Sequence, residues 1–312
     1  MTLRWLCGLV AATAIGGAAP ARGAPAGATT LTIGGATIEV EIAPGHLDRS
    51  PAELIAWVTA AGNAVTGYFD RFPVARYRLV IEPVAGRTGV ITGTTWAWGG
   101  AHSQVLVGEH ASVDDLAHDW VMTHEMIHTA FPDQPPAHRW IEEGISTYVE
   151  PLARSWVGGY PVNKVWGDLA GQLPNGLPVE GDRGLDHTHT WGRTYWGGAL
   201  FCLMADLEIR QRTHGARGLV DALRGLVAAG GNDQADWSID RAFREADRAV
   251  GVPVLEDLYK AMKDRPMSPD LAALWRDLGV SIRQGKLELD ETAPRAALRR
   301  AITARPAAKP AP

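Results

Sequence analysis

Over residues 31–42 apolar and polar side chains alternate. Ile38, Val40 and Ile42 stand between Thr37, Glu39 and Glu41, which is the two-residue period of a half-buried strand. Gly34-Gly35 just before that run predicts the turn of a hairpin. A helical pattern then starts at Ser50, with Pro51 at its first position and Glu53 completing a capping box, and extends to about residue 71. Two or three further strands are expected, at 77–82, 89–98 and 102–107. A second capping box, Ser112 with Asp115, opens a helix that the pattern carries unbroken to about residue 130, where Pro132 stops it. Another helix is expected from about residue 137, ended or kinked by Pro151. Residues 158–190, rich in Gly and Pro, read as an irregular surface loop. A long helix over 194–213 and four shorter ones to about residue 278 complete the pattern.

The resulting fold class is α+β, a small mixed β lobe packed on a mainly helical lobe. The expected division is 1–26 as a signal peptide, 27–111 as the β-rich lobe, 112–304 as the helical lobe and 305–312 as a disordered tail. Arg4, an apolar run after it and small-x-small patterns near residues 19–26 make the N-terminal segment read as a secretory signal. That implies a secreted or periplasmic protein. The run is too short to span a bilayer, and no later segment is long and apolar enough, so no stable membrane insertion is expected.

Composition adds exclusions. A net charge of −5 without a polybasic run argues against nucleic acid as a partner. The only cysteines are Cys7 and Cys202. Loss of the leader leaves Cys202 alone, so the mature chain forms no internal disulfide, and its apolar surroundings predict an inert buried thiol. The sequence does not set the oligomeric state.

The chemistry concentrates at His124-Glu125-Met126-Ile127-His128. On a helix, positions i and i+4 share a face, so both imidazoles can reach one metal ion at about 2.0–2.1 Å. Glu125 projects beside them and is placed to take a proton from an attacking water. A catalytic zinc needs three protein ligands, and the next helix carries Trp140-Ile141-Glu142-Glu143-Gly144-Ile145-Ser146. Glu143 is the candidate third ligand; its rival Glu142 points about 100° away and is expected to face solvent or the outer surroundings of the site. One Zn2+ per chain is implied.

His124–His128 together with residues 140–146 resembles the thermolysin-like gluzincin peptidases, whose third ligand lies in a Trp-Leu-x-Glu-Gly segment. Residues 194–215 (TYWGGALFCLMADLEIRQRTHG) resemble the corresponding helix of the glycyl aminopeptidase family, without that family's PDZ domain. Trp98-Gly99-Gly100-Ala101-His102-Ser103 is similar to that family's edge-strand segment. The resemblance implies a peptide or protein substrate and makes Tyr195 the donor to the oxyanion formed during hydrolysis. Two departures stand out: Gly197 occupies the family's lysine position, and Gly-Gly-Ala-His lacks its glutamate.

Other residues attract weaker expectations. Thr147 and Glu150 lie on the Glu143 face and are candidates to support the site. Trp96 and Trp98 share a strand face and are candidates for a cleft floor or for core. His118 is two turns from Glu125, too far to ligate. Asp186, His187 and His189 suggest a surface or substrate-side role, or a second metal site. Asp206 and Arg210 form a structural pair. The functional readings are an exported zinc metallopeptidase, an aminopeptidase acting on free N-termini, or a non-catalytic peptide-binding protein on a peptidase fold.

Overall fold

A computed structural model describes residues 28–306; the expected signal segment and the residues beyond Pro306 lie outside the described range. Strands β1 (Thr29–Ile33) and β2 (Ala36–Ile42) form the hairpin expected around Gly34-Gly35. Helix α1 (Pro51–Phe69) then crosses to β3 (Arg76–Val84), which pairs parallel to β2. Both halves of the Ser50–Glu53 capping box are present. Strands β4 (Val90–Trp96) and β5 (His102–Gly108) follow, with β5 parallel to β3 and antiparallel to β4. The sheet order is β1-β2-β3-β5-β4, which leaves β4 at an edge. The edge is therefore made by residues 90–96, and the Trp98–Ser103 segment expected there instead turns the chain and begins the inner strand β5 at His102. Gly99 and Gly100, at φ 76° and 101°, make that turn.

The helix expected from Ser112 to about residue 130 is two helices, α2 (Val113–His118) and α3 (Val121–His128). Asp119 breaks it. Its backbone is extended, and its carboxylate accepts from the N–H groups of Val121 (2.8 Å) and Met122 (3.0 Å). A short acidic side chain that satisfies the orphan donors of a new helix start competes with helix continuation. The direction of α3 is thereby released from that of α2.

Helix α4 (Arg139–Trp156) runs through Pro151 rather than ending there, because Leu152, Ala153 and Trp156 continue its buried face. The stretch read as an irregular loop contains α5 (Val162–Gln172), whose Val165, Trp166 and Leu169 are buried at helical spacing. Its glycines obscure that pattern in sequence. A π-helical turn, Gly192–Gly197, leads into α6 (Gly198–Arg212). Four helices follow, α7 (Leu219–Ala228), α8 (Ile239–Val250), α9 (Val254–Met262) and α10 (Leu271–Leu278). Strands β6 (Val280–Arg283) and β7 (Lys286–Leu289) pair as a hairpin before α11 (Ala296–Thr303), three elements that the sequence pattern did not reveal. No helix among the described residues is long and apolar enough to cross a membrane.

Helix α4 is the axis of the helical lobe and packs against α1, α3, α5, α6 and α11. Its crossing with α6 is unusually close. A Cβ on Gly144 would lie 2.4 Å from the Gly198 Cα, and one on Gly198 would lie 2.1 Å from the Trp140 carbonyl oxygen. The two backbones touch where neither residue has a side chain. Adding a methyl group there forces the helices apart, and overpacking of this kind costs about 1–3 kcal/mol or more. Gly198→Ala should therefore lower the denaturation midpoint. Gly167→Ala in α5, whose added methyl meets nothing within 4 Å, should leave the midpoint unchanged or raise it. Equal midpoints for Gly198→Ala and wild type would refute backbone contact at the crossing.

Candidate metal centre

Helix α3 is short and almost wholly buried, and it lies between the edge strand β4 and helix α4. Its one-turn spacing brings the His124 and His128 rings to 4.9 Å between centroids, inclined at 77°. Trp120 meets the His124 ring edge-on at 5.1 Å and limits its rotation. From α4, Glu143 reaches into the same space, with its Oε2 3.2 Å from His124 Nε2 and 3.5 Å from His128 Nε2. One ligand atom from each of the three residues lies within 4.8 Å of the others, and no other group of this kind occurs among the described residues.

These separations allow a test of fit. Four ligands placed tetrahedrally at 2.0–2.1 Å are about 3.3–3.4 Å apart. The two nitrogen-to-oxygen separations fall on either side of that value. Two imidazoles and a carboxylate are also a donor set suited to zinc. The residues thus fit such an ion. The electrostatics agree. Burial is the largest single influence on the His128 imidazole and would lower it, but the charge and hydrogen bond of Glu143, joined by the charges of Glu125 and Glu142, together raise it to about 9. Burial pushes the Glu143 carboxyl up, yet His128 and then His124 hold it well below the usual carboxylate range. The site has a negative potential that draws a proton to His128 and is equally available to a divalent cation.

Arg139, one turn before Glu143, donates from Nε to Glu143 Oε1 at 3.2 Å. It occupies one carboxylate oxygen and leaves Oε2 facing the imidazoles. Sequence reading passed over Arg139, although its i,i+4 spacing from Glu143 was a usable signal. Glu142 stands outside the group. Its Oε1 accepts from the Gln134 N–H (3.4 Å), and burial raises its carboxyl to about 8.

Glu125 projects from α3 toward β4. Its Oε2 accepts a 2.7 Å hydrogen bond from Thr95 Oγ1. Gly93 lies so close that a Cβ there would sit 2.4 Å from Glu125 Cγ. Neither contact was visible in sequence, because some 30 residues separate the partners.

Tyr195 comes from the π-helical turn. Its ring lies 6.2 Å from His124, nearly parallel at 20°, and stacks with Trp191 at 6.3 Å. Burial, then the Glu143 charge, raises its phenol above the ordinary value, so it stays protonated and able to donate. Arg193 anchors the turn. Its buried guanidinium pairs with Asp182 at 2.7 Å and donates to the Gly176 carbonyl.

Several weaker expectations resolve elsewhere. Glu150 is buried against Arg154 (2.7 Å), which also holds the Ala117 carbonyl, so it belongs to the α2–α4 junction and not to the metal centre. Thr147 makes no hydrogen bond to Glu143, whose carboxylate is held by His124, His128 and Arg139. His118 is exposed and bonds its own helix. Asp186 is a structural hub that accepts from His138 (3.1 Å), Trp140 (2.8 Å) and Tyr259 (2.8 Å), while His187 pairs with Asp264 at the surface. Trp96 stacks on His102 at 5.2 Å, but Trp98 lies past the strand end and is 68% exposed, so the two share no strand face. Asp206 binds Arg210 at 2.8 Å and also caps the Leu219 N–H. Cys202 is buried, and burial raises its thiol, as expected of an inert cysteine.

No family model and no curated protein sequence matches the chain. Among solved structures, an aminopeptidase N family protein from Idiomarina loihiensis resembles it with a TM-score of 0.56 at 16% identity, over 82% of this chain and 49% of that one. An M1 zinc metallopeptidase from Deinococcus radiodurans gives a TM-score of 0.49 at 18% identity, over 78% of this chain and 52% of that one. The chain spans about half the length of the solved structures it matches. At 16% identity the first likeness is one of fold: the α+β arrangement of sheet lobe and helical lobe is shared with part of an aminopeptidase N family protein.

Proposed function

We propose that the chain is an exported zinc metallopeptidase that hydrolyses peptide bonds. The observation that carries this reading is the convergence of His124, His128 and Glu143, with both histidine-to-Glu143 separations near tetrahedral spacing and Glu125 on the histidines' own helix. His124, His128 and Glu143 would hold one Zn2+, which when bound supplies Lewis acidity and a water of lowered pKa, toward about 7. Glu125 accepts the proton of the attacking water and returns it to the leaving amine. Tyr195, kept protonated by its surroundings, donates to the oxyanion. Arg139 keeps the Glu143 carboxylate in place. The free edge of β4 suits an extended peptide read through its backbone. Export rests on the signal-like residues 1–26.

Aminopeptidase action is the second reading. It is favoured by the resemblance of residues 194–215 to the glycyl aminopeptidase family and by the fold shared with a protein of the aminopeptidase N family. Against it, β4 carries no acidic side chain to hold a substrate's α-amine. A non-catalytic peptide-binding role is disfavoured because the proposed base, the three candidate ligands and the phenol are all present in the sequence. Digestion of a peptide library, read by mass spectrometry, separates terminal from internal cleavage.

Three substitutions test the assignment. Glu125→Gln should keep stoichiometric zinc and lose about 10²–10⁴-fold in turnover; wild-type rates would remove Glu125 as base. Glu143→Ala should abolish tight zinc binding while Glu142→Ala keeps it, as measured by metal analysis after dialysis, and the opposite pattern would reassign the ligand. Tyr195→Phe should lower kcat by about 10²–10³-fold with KM little changed, the signature of a lost oxyanion donor. An unaltered kcat would exclude the phenol from the reaction.

A further inference from the structure

The face of the sheet that meets α3 is mostly apolar, with Leu79, Ile81, Val105 and Val107 fully buried. Three hydroxyls interrupt it in a line. Tyr77 on β3 donates to Ser103 Oγ on β5 at 2.6 Å. Ser103 Oγ lies 2.6 Å from Thr95 Oγ1 on β4, and Thr95 Oγ1 lies 2.7 Å from Glu125 Oε2. The register explains the line: Thr95 is paired with Ser103, and Ser103 with Leu79, which shares a face with Tyr77 two residues before it.

Each hydroxyl has one proton to give, and an ionised carboxylate can only accept, so the direction of the chain is read from the Glu125 end. Thr95 gives its proton to the carboxylate, the charge-assisted acceptor. Its oxygen then accepts from Ser103, and Ser103 Oγ accepts from the buried Tyr77 phenol. The Glu125 backbone carbonyl, 3.0 Å from the same Thr95 hydroxyl, is the longer of its two contacts to that residue. Gly93, two residues earlier on the same strand face, closes the other side: a Cβ there would sit 2.8 Å from Glu125 Oε1. Glu125 is thus fixed between a hydroxyl on one oxygen and bare backbone beside the other.

We propose that Thr95 is a positioning residue for Glu125, the terminal donor of a buried Tyr77–Ser103–Thr95 hydroxyl chain that fixes the carboxylate against the edge strand. The proposal rests on Glu125 serving as the base. A base must hold its oxygen in line with the proton it takes, and a misplacement of about 1 Å is worth roughly 100-fold in rate. The chain supplies that restraint from the sheet, so the strand that forms the cleft wall also sets the base.

The test compares zinc-loaded wild type with Thr95→Val, which removes the hydroxyl at constant shape, Thr95→Ser, which keeps it, and Ser103→Ala. Thr95→Val should bind zinc at wild-type stoichiometry, keep KM within about twofold and lose roughly 10–100-fold in kcat, the usual range for a residue supporting a site from behind. Thr95→Ser should restore kcat to within about threefold, and Ser103→Ala should fall between them. Crystal structures of the same proteins should show the Glu125 carboxylate displaced in Thr95→Val and in place in Thr95→Ser. An unchanged kcat in Thr95→Val, a Thr95→Ser as impaired as Thr95→Val, or an unmoved carboxylate in the Thr95→Val crystal would each overturn the proposal. If wild type cleaves no peptide, the peptidase reading fails on its own, and the position of Glu125 in the crystals still decides whether Thr95 holds it.

Discussion

The backbone contact between α4 and α6 at Gly144 and Gly198 is the constraint on which the site depends. Glu143 immediately precedes one of these glycines, and Tyr195 lies three residues before the other. A wider crossing, with side chains between the helices, would withdraw the phenol from the ring of His124 and from the Glu143 carboxylate together. Close approach of this kind requires residues without a Cβ on both sides. The surrounding apolar packing, with Phe201 in ring contact with both Trp140 and Phe243, holds the two helices in that crossing.

The second constraint comes from the sheet. Helix α3 is wedged between β4 and α4, and its side chains divide accordingly. His124 and His128 turn toward α4 and meet Glu143, whereas Glu125 turns toward β4 and meets Gly93 and Thr95. The geometry of the candidate ligands and that of the proposed base are thus set by different neighbours. The restart of α3 at Asp119 matters here, because a helix continuous with α2 would have its direction dictated from outside the wedge.

What was legible in the sequence was what is local. His124 and His128 share a helix face at fixed spacing, and Glu143 lies on the next helix after a short Pro-rich connection, so the group could be named before its geometry was known. The capping boxes at Ser50 and Ser112 gave two helix starts correctly for the same reason. Asp119 misled because an acidic residue inside an amphipathic run looks like an ordinary exposed position, and only the buried amides of Val121 and Met122 reveal it as a cap. Thr95, Ser103 and Tyr77 have no signature of their own, since each is an ordinary strand residue and their alignment exists only after three strands are in register. Helix α5 was hidden by Gly167 and Gly171, which dilute its apolar stripe. The edge strand was misplaced by a few residues because the glycines that resemble a family motif serve here as a turn.

The π-helical turn that carries Tyr195 has a further consequence. Such turns hold one residue more than regular α-helix allows and arise most simply from a single insertion. Each residue advances a helix by about 100°. Excision of one residue between Gly192 and Gly197 would therefore yield a more regular helix whose phenol had swung to a different side of the cylinder. Regularity and an inward-facing phenol are incompatible at this point of the chain, and the fold keeps the second by tolerating a defect in the first.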